Sequence, residues 1–520
     1  MRRAACVLGV CALGLATCAL HAEGPEEAYR TVFGAEHDKV LATPGVKDDV
    51  EFGARLLDAA NTSKDPSLTA YLYEMACDFA CKALEGYPTA LAAARLLCRT
   101  LPEKTLPVRE KLLKAGEGLY ARAAGEGDRI TAGSYLIDSL VCLADLRLEA
   151  NLPLEAHRLL GRAAALAPAV NPPSVHGIAL RLETLKAAEA AQQRLARAEA
   201  ALKANPQDAA AARRLLMAWL LEKDNPAKAA EYLGACGKDE RLETYVPLAS
   251  KGVLELEEPA CLELANWYRG LAAQEESLGK LRALTRAQAY TKRFLELHKE
   301  ADAKSSTAAL LLGEIAKDLA RVRGQMAGGW LDLLELVPRD TWNLEPQRWE
   351  ATEEGLVTRA NWVDLAMVSY EPPAEYDLEA SFTRKGGIGP IGFMCPFGQT
   401  AFVCLLGDGN NRKAGLAEIR GNRIVPANPT VRDFSAVPDS RYSLLIQVRK
   451  KGIRVFLNQK PFTDYATDGS DLSPHINWNR HLPNPRVLGF GSFVSRVAFH
   501  CLWLKEVSGT GKFATSQPGP

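Results

Sequence analysis

At 520 residues the chain is long enough for roughly two or three domains, each with a core of its own. Its composition, 47% hydrophobic and 24% charged, is that of a folded soluble protein. Basic and acidic residues balance at 63 each with no long like-charge run, which excludes the basic stripe expected of a nucleic-acid binder.

In chain order, the first feature is an export signal over residues 1–22. Arg2 and Arg3 supply the positive start, Ala4 to Leu20 the apolar stretch, and Ala22 a small residue for cleavage. Within it Leu15-Ala16-Thr17-Cys18 resembles a lipobox, which implies acylation of Cys18, so plain cleavage and a lipid anchor both stand. No later stretch is long and apolar enough to span a membrane. The expected location is therefore periplasmic or extracellular. The cysteines beyond the signal are odd in number and show neither a CxxC pair nor a Cys/His spacing suited to zinc. They read as small buried hydrophobes, although Cys395 and Cys404 flank a short turn and can face each other across a hairpin. No metal or cofactor is expected.

From residue 23 to 323 the chain is rich in Ala, Leu, Glu, Lys and Arg, with apolar residues at intervals of three and four. Breaks fall at "NTSKDP", "EGYP", "ANPQD" and "KDNP", so short helices in antiparallel hairpins are predicted. Counting back from Pro168, the offsets of Leu140, Leu143, Ala144, Ala156, Leu160 and Ala163 resemble the tetratricopeptide repeat. A weaker echo ends at Pro206 and carries Arg194 where a small residue belongs. Its segment "LRLETLKAAEAAQQRLARAEAALKA" also reads as one long helix. The resemblance implies a helical solenoid that binds a protein partner.

"GQMAGG", residues 324–329, reads as a flexible glycine-rich joint. Beyond it Gly, Pro, Asn, Phe and Trp increase, and strand candidates follow at Leu356–Thr358, Tyr376–Phe382, Ile391–Met394, Phe402–Leu406, Leu416–Ile419, Tyr442–Arg449, Ile453–Leu457 and Val497–Val507. The fold class expected is thus multidomain: a tetratricopeptide-like α-helical hairpin solenoid, then an antiparallel β-sandwich over 330–508, with a flexible tail at 509–520. The hairpin "RYSLLIQVRKKGIRVFLNQK" and the ending "LGFGSFVSRVAFHCLWLKEVSG" resemble concanavalin A-like and laminin-G-like jelly rolls. Residues 330–508 are similar more broadly to the sandwich module of exported bacterial proteins, distantly like the 3-keto-disaccharide hydrolases.

Two constellations can carry chemistry. In "EYDLEASFTRKGG", Glu375, Asp377 and Glu379 alternate with Tyr376, Leu378 and Ala380, so the three carboxylates share the face opposite the core. The pattern resembles the E-x-D-x-E strand of jelly-roll glycoside hydrolases. There the resemblance implies Glu375 as nucleophile, Asp377 as charge tuner and Glu379 as acid/base, in an open cleft. The opposing reading is a solvated polar face with no chemistry. In "HINWNRHLPNP", Trp478 can stack on a sugar ring while Asn477, Asn479 and Arg480 bond its hydroxyls, or Trp478 can cover the rim of the core. The remaining tryptophans, including Trp330, Trp342, Trp349, Trp362 and Trp503, read as core or edge packing. The leading expectation is a non-catalytic exported binding or scaffold protein, with a protein partner for the helices and a glycan or envelope component for the sandwich. The alternative is a carbohydrate-active enzyme, a glycoside hydrolase or lyase.

Overall fold

The computed structural model describes residues 24–337, 349–482 and 484–514. The expected export signal with Cys18, Trp342 and the end of the tail lie outside the described residues. The chain forms two compact units, one running to Pro172 together with Val437–Tyr442, the other holding Pro173–Ala436 and Ser443 onward.

The first unit is helical: α1 (Pro25–Ala42), α2 (Lys47–Thr62), α3 (Pro66–Ala80), α4 (Tyr87–Thr100), α5 (Thr105–Arg122), α6 (Glu126–Glu149) and α7 (Pro153–Val170). The breaks fall where turn chemistry puts them. Asp65 of "NTSKDP" caps α3 by accepting from the Ser67 N–H at 2.8 Å, with Pro66 in the first helical position. Aromatic residues fill the core, with Phe52 and Phe79 edge to face at 4.8 Å. The residues Leu140, Leu143, Ala144, Ala156, Leu160 and Ala163 are all buried on the α6–α7 hairpin.

The second unit opens with α8 (Ser174–Ala204), a single continuous helix. The weaker repeat therefore has no hairpin, because the Ala-rich run contains no breaker before Asn205. Then come α9 (Ala209–Met217), a π-helical segment (Ala218–Glu222), α10 (Pro226–Ala230), α11 (Glu240–Ala249), α12 (Glu258–Ala272), α13 (Ser277–Leu297) and α14 (Ala303–Met326). Gly328 and Gly329 follow at φ +71° and +90°. The Gly329 N–H reaches the Gly324 carbonyl at 2.8 Å, so the glycines cap α14 in the left-handed conformation that favours them.

The strands are β1 (Trp330–Asp332), β2 (Trp349–Thr352), β3 (Gly355–Thr358), β4 (Asp364–Met367), β5 (Tyr370–Glu371), β6 (Glu375–Gly387), β7 (Ile391–Phe397), β8 (Thr400–Gly407), β9 (Lys413–Leu416) and β10 (Arg432–Asp433). After these come β11 (Arg441–Arg449), β12 (Gly452–Leu457), β13 (Lys460–Ala466), β14 (Gly489–Ser492), β15 (Ser495–Ser508) and β16 (Lys512–Phe513). They form an antiparallel sandwich. One sheet has the order β13-β12-β11-β6-β15-β3-β2 with β1 also on β15, the other β10-β9-β8-β7-β14-β4, and β16 pairs with β5. Between the sheets lie Phe382, Phe393, Phe490 and Phe499, the last two 4.9 Å apart. Burying each such ring contributes about 1.5–3 kcal/mol. The β7–β8 register sets Cys395 opposite Phe402 and Cys404 opposite Phe393, and every described cysteine is a free thiol. Burial raises the Cys404 thiol to about 12, as befits a small apolar filler.

Candidate functional site

Strand β6 keeps the predicted alternation. Tyr376, Leu378, Ala380 and Phe382 are buried toward the opposing sheet, and Glu375, Asp377 and Glu379 are half-buried on the other face. Each carboxylate has a protein partner. Glu375 Oε1 accepts from the Lys450 N–H at 3.2 Å. Asp377 Oδ1 accepts from Arg449 Nη2 at 2.6 Å, while Nη1 of the same guanidinium donates to the Tyr376 carbonyl at 2.9 Å. Glu379 Oε2 lies 2.8 Å from His176 Nε2, on the first turn of α8.

The His176 ring also stacks on Trp330, with centroids 4.1 Å apart, and meets Trp503 edge-on at 5.6 Å. The ladders place Trp503 opposite Glu379 on one side and opposite Asp332 on the other, so these side chains share one face. The face expected to be an open cleft is therefore covered at Glu379 by helix α8 and by Trp330. Burial, and then the charge of Glu335, pushes the Asp332 carboxyl up to about 6, against the pull of the Leu334 N–H bonded to it at 3.0 Å. Nothing in the local sequence announces His176 or Asp332, because both depend on a contact between distant segments.

Trp478 lies on a short helix, α15 (Ile476–His481), and is only 1% exposed. Its ring packs over the outer face of the second sheet among Leu365, Met394, Val403 and Leu405. The site is shaped by absence: a Cβ on Gly392 would come within 2.3 Å of the indole. Of the two readings of Trp478, covering the core is the one this burial describes. Asn477, Asn479 and Arg480 are exposed around it. His475 caps α15 by accepting from the Asn477 N–H at 3.3 Å, and burial followed by Arg423 holds its imidazole below the usual value.

The exposed indole is Trp362, at 79%, where packing was expected. It sits on the β3–β4 connection, beside two other connections that also present apolar side chains, Ile388 at 58% and Val494 at 41% exposure. These loops are bound to one another. The Val494 N–H donates to the Asn361 carbonyl at 2.9 Å, and the Phe493 N–H to the Pro390 carbonyl at 3.0 Å. Asn361 donates through its backbone N–H and its side-chain amide to the two oxygens of buried Asp364, each at 3.0 Å. Fully buried Arg384 donates to the carbonyls of Gly387 and Gly389 at 3.0 and 2.9 Å, fixing the loop that carries Ile388. Ala360 and Val494 both hold φ positive, at 63° and 48°. For a β-branched residue that is an outlier. The signal available in the sequence was only that "RANWVDL" places the indole beside loop-forming residues.

No protein-family model matches this chain, and no curated protein does. Among solved structures it is similar to a carbohydrate-binding module from Bacillus subtilis, at 14% identity and a TM-score of 0.20, covering 35% of this chain and 95% of that one. A candidate glycosyl hydrolase from Parabacteroides distasonis matches at 15% identity and 0.21, over 34% of this chain and 99% of its own. Sheep galectin-11 matches at 15% and 0.17, over 28% and 97%. Likeness of this degree carries no argument about ligand or activity, which rest on the residues themselves.

Proposed function

We propose that this chain is a non-catalytic, exported binding or scaffold protein, whose helical region engages a protein partner and whose sandwich engages a glycan or another envelope component. The observation that carries the glycan half is Trp362, an indole held in water by a frame of hydrogen bonds. Holding apolar area in water costs about 25 cal/mol per Å2. Each left-handed non-glycine residue adds roughly 1–2 kcal/mol of strain. A pyranose, with an apolar face and polar edges, suits such a platform, and exposed Arg359 and Asn361 stand beside it to bond hydroxyls. Asn477, Asn479 and Arg480 supply further donors and acceptors in this reading, with Trp478 supporting them from beneath, its ring 6.0 Å from that of Phe493.

The enzyme reading asks Glu375 and Glu379 to flank a bond in an open cleft. Glu379 is instead held under His176, and Asp377 is neutralised by Arg449, which supports binding over hydrolysis. The test is retention of the full chain on a polysaccharide array. Wild type is retained, and Trp362→Ala loses about tenfold or more in affinity with an unchanged melting temperature. Equal retention of wild type and variant overturns the reading. Release of reducing ends that disappears in Glu379→Gln establishes the enzyme in its place.

A further inference from the structure

A cavity of about 710 Å3 opens between α8, α9 and the π-helical segment. Its rim carries Arg194, Arg197, Arg213 and Arg214, and its lining includes two carboxylates, Glu222 and Glu275. The charges do not cancel locally. Arg194 is committed to Glu222, with Nε and Nη2 on the same Oε1 at 3.1 and 2.7 Å. Arg213 is committed to Asp239 at 2.8 Å. Arg197 and Arg214 are exposed and have no ion-pair partner among the described residues.

Below the guanidinium groups the lining is aliphatic, with Ala198, Ala201, Met217, Ala218 and Leu221. The second oxygen of Glu222, Oε2, is buried and accepts no hydrogen bond. A buried acceptor without a donor costs about 1–3 kcal/mol, so the site lacks a donor that a ligand can bring. Glu275 lines the same cavity, its carboxyl raised by burial and then by the charge of Glu222. The backbone widens here as well. The Lys223 N–H reaches back five residues to the Ala218 carbonyl at 2.9 Å, a π-turn of the kind found at functional sites.

The chemistry asked for is therefore threefold: anionic groups for Arg197 and Arg214, an apolar side chain for the aliphatic floor, and one N–H for Glu222 Oε2. A fully ionised phosphate group has no donor for that oxygen and would set its double charge against two carboxylates. A sugar acid has donors, but this floor offers no aromatic ring on which a pyranose stacks. A peptide supplies all three. We infer that this cavity binds an acidic peptide segment, with carboxylates on Arg197 and Arg214, an apolar residue on the floor, and a backbone N–H on Glu222. The inference rests on reading the helical region as protein-binding and names the chemistry of the partner.

The experiment uses the full chain on an array of short immobilised peptides in which the spacing of glutamate and leucine is varied. A matching set carries glutamine for glutamate, and an oligouronate is spotted alongside. Some acidic members are expected to bind at least about tenfold more tightly than their glutamine counterparts, with the preference lost in the double variant Arg197→Ala/Arg214→Ala. Both arginines are exposed, so the variant should melt with wild type, and a circular-dichroism melt verifies it. Equal binding of the two peptide sets, an unaffected double variant, or binding of the oligouronate alone each overturns the inference. A purified protein partner that binds both wild type and the double variant equally sinks this inference while leaving the protein-binding reading of the helices standing.

Discussion

Trp362 and Trp478 both stand in asparagine-bearing sequence, yet one is in water and the other is packed onto the aliphatic side chains of the second sheet. What separates them lies across the sheet. Gly392 leaves room for the Trp478 ring, and Gly489 likewise admits Leu482, whose Cδ1 a Cβ there would approach to 2.4 Å. Gly392 is more than eighty residues from the loop in sequence, so no reading of "HINWNRH" alone could choose between the two indoles. The difference is measurable. Trp478→Ala should cost about 3–5 kcal/mol in a chemical-denaturation experiment, as a large buried side chain does. Trp362→Ala should fall within about 0.5 kcal/mol of wild type. Comparable losses at both positions would contradict the burial described above. The same lesson applies to Gln459, whose φ of 65° follows Asn458 at 48° in a turn that favours glycine. There the alternation of the flanking strands was strong enough for the hairpin to be read although glutamine stands where a glycine is favoured.

Helices and long strands were the legible elements, because their signals are local. Apolar spacing and capping residues placed the helix breaks, strict alternation placed β6, β11 and β12, and apolar runs between turn signals placed β8 and β15. The elements missed are those whose pairing is set from elsewhere. In β14, "GFGS" lacks β-branched residues and looks like a turn, but Gly491 lets the strand approach Asp364 so closely that a Cβ would meet its carbonyl at 2.0 Å. One tie between elements can be tested by pH. His298, just past α13, sets Nδ1 2.8 Å from Glu258 at the start of α12 and Nε2 3.0 Å from Asp302, the N-cap of α14. Glu258, and then Asp302, raises the imidazole above its ordinary value. A base whose folded pKa is raised stabilises the fold fully below about pH 6.5, and loses that contribution as pH rises through the folded value. Wild type should therefore melt above His298→Asn in mild acid, with the gap closing in base. A gap independent of pH would show that the pair acts through packing alone.

For the whole molecule, the order of helices before sandwich was readable from composition, whereas the membership of the second compact unit was not. Helices α8 to α14 share that unit with the sheets, because His176 of α8 packs on the strand face that bears Trp330 and Trp503, and α14 approaches β1 with Gly324 close against Leu331. Helix-on-sheet packing of this kind uses residues that look like ordinary surface or edge positions in one dimension. Asp332 reports on it. Its folded pKa of about 6 lies above the unfolded carboxylate value of about 3.9. Its own contribution to stability should be greatest below about pH 4, decline as pH rises through 6, and level off beyond. Asp332→Asn removes the charge while keeping an acceptor for the Leu334 N–H, so it should raise the denaturation midpoint at neutral pH and leave it unchanged in acid. A lower midpoint at neutral pH would mean that the ionised carboxylate is wanted.

The stack of His176 on Trp330 decides how the protein can be cut for the bench. A recombinant sandwich begun at the glycines would reach water with Trp330 and Trp503 stripped of their imidazole cover and Glu379 deprived of its nearest partner. Such a fragment would be sticky for reasons unrelated to any natural ligand, and its precipitation or adhesion could be mistaken for recognition. Keeping the chain from Pro173 onward retains the lid that nature left on that surface.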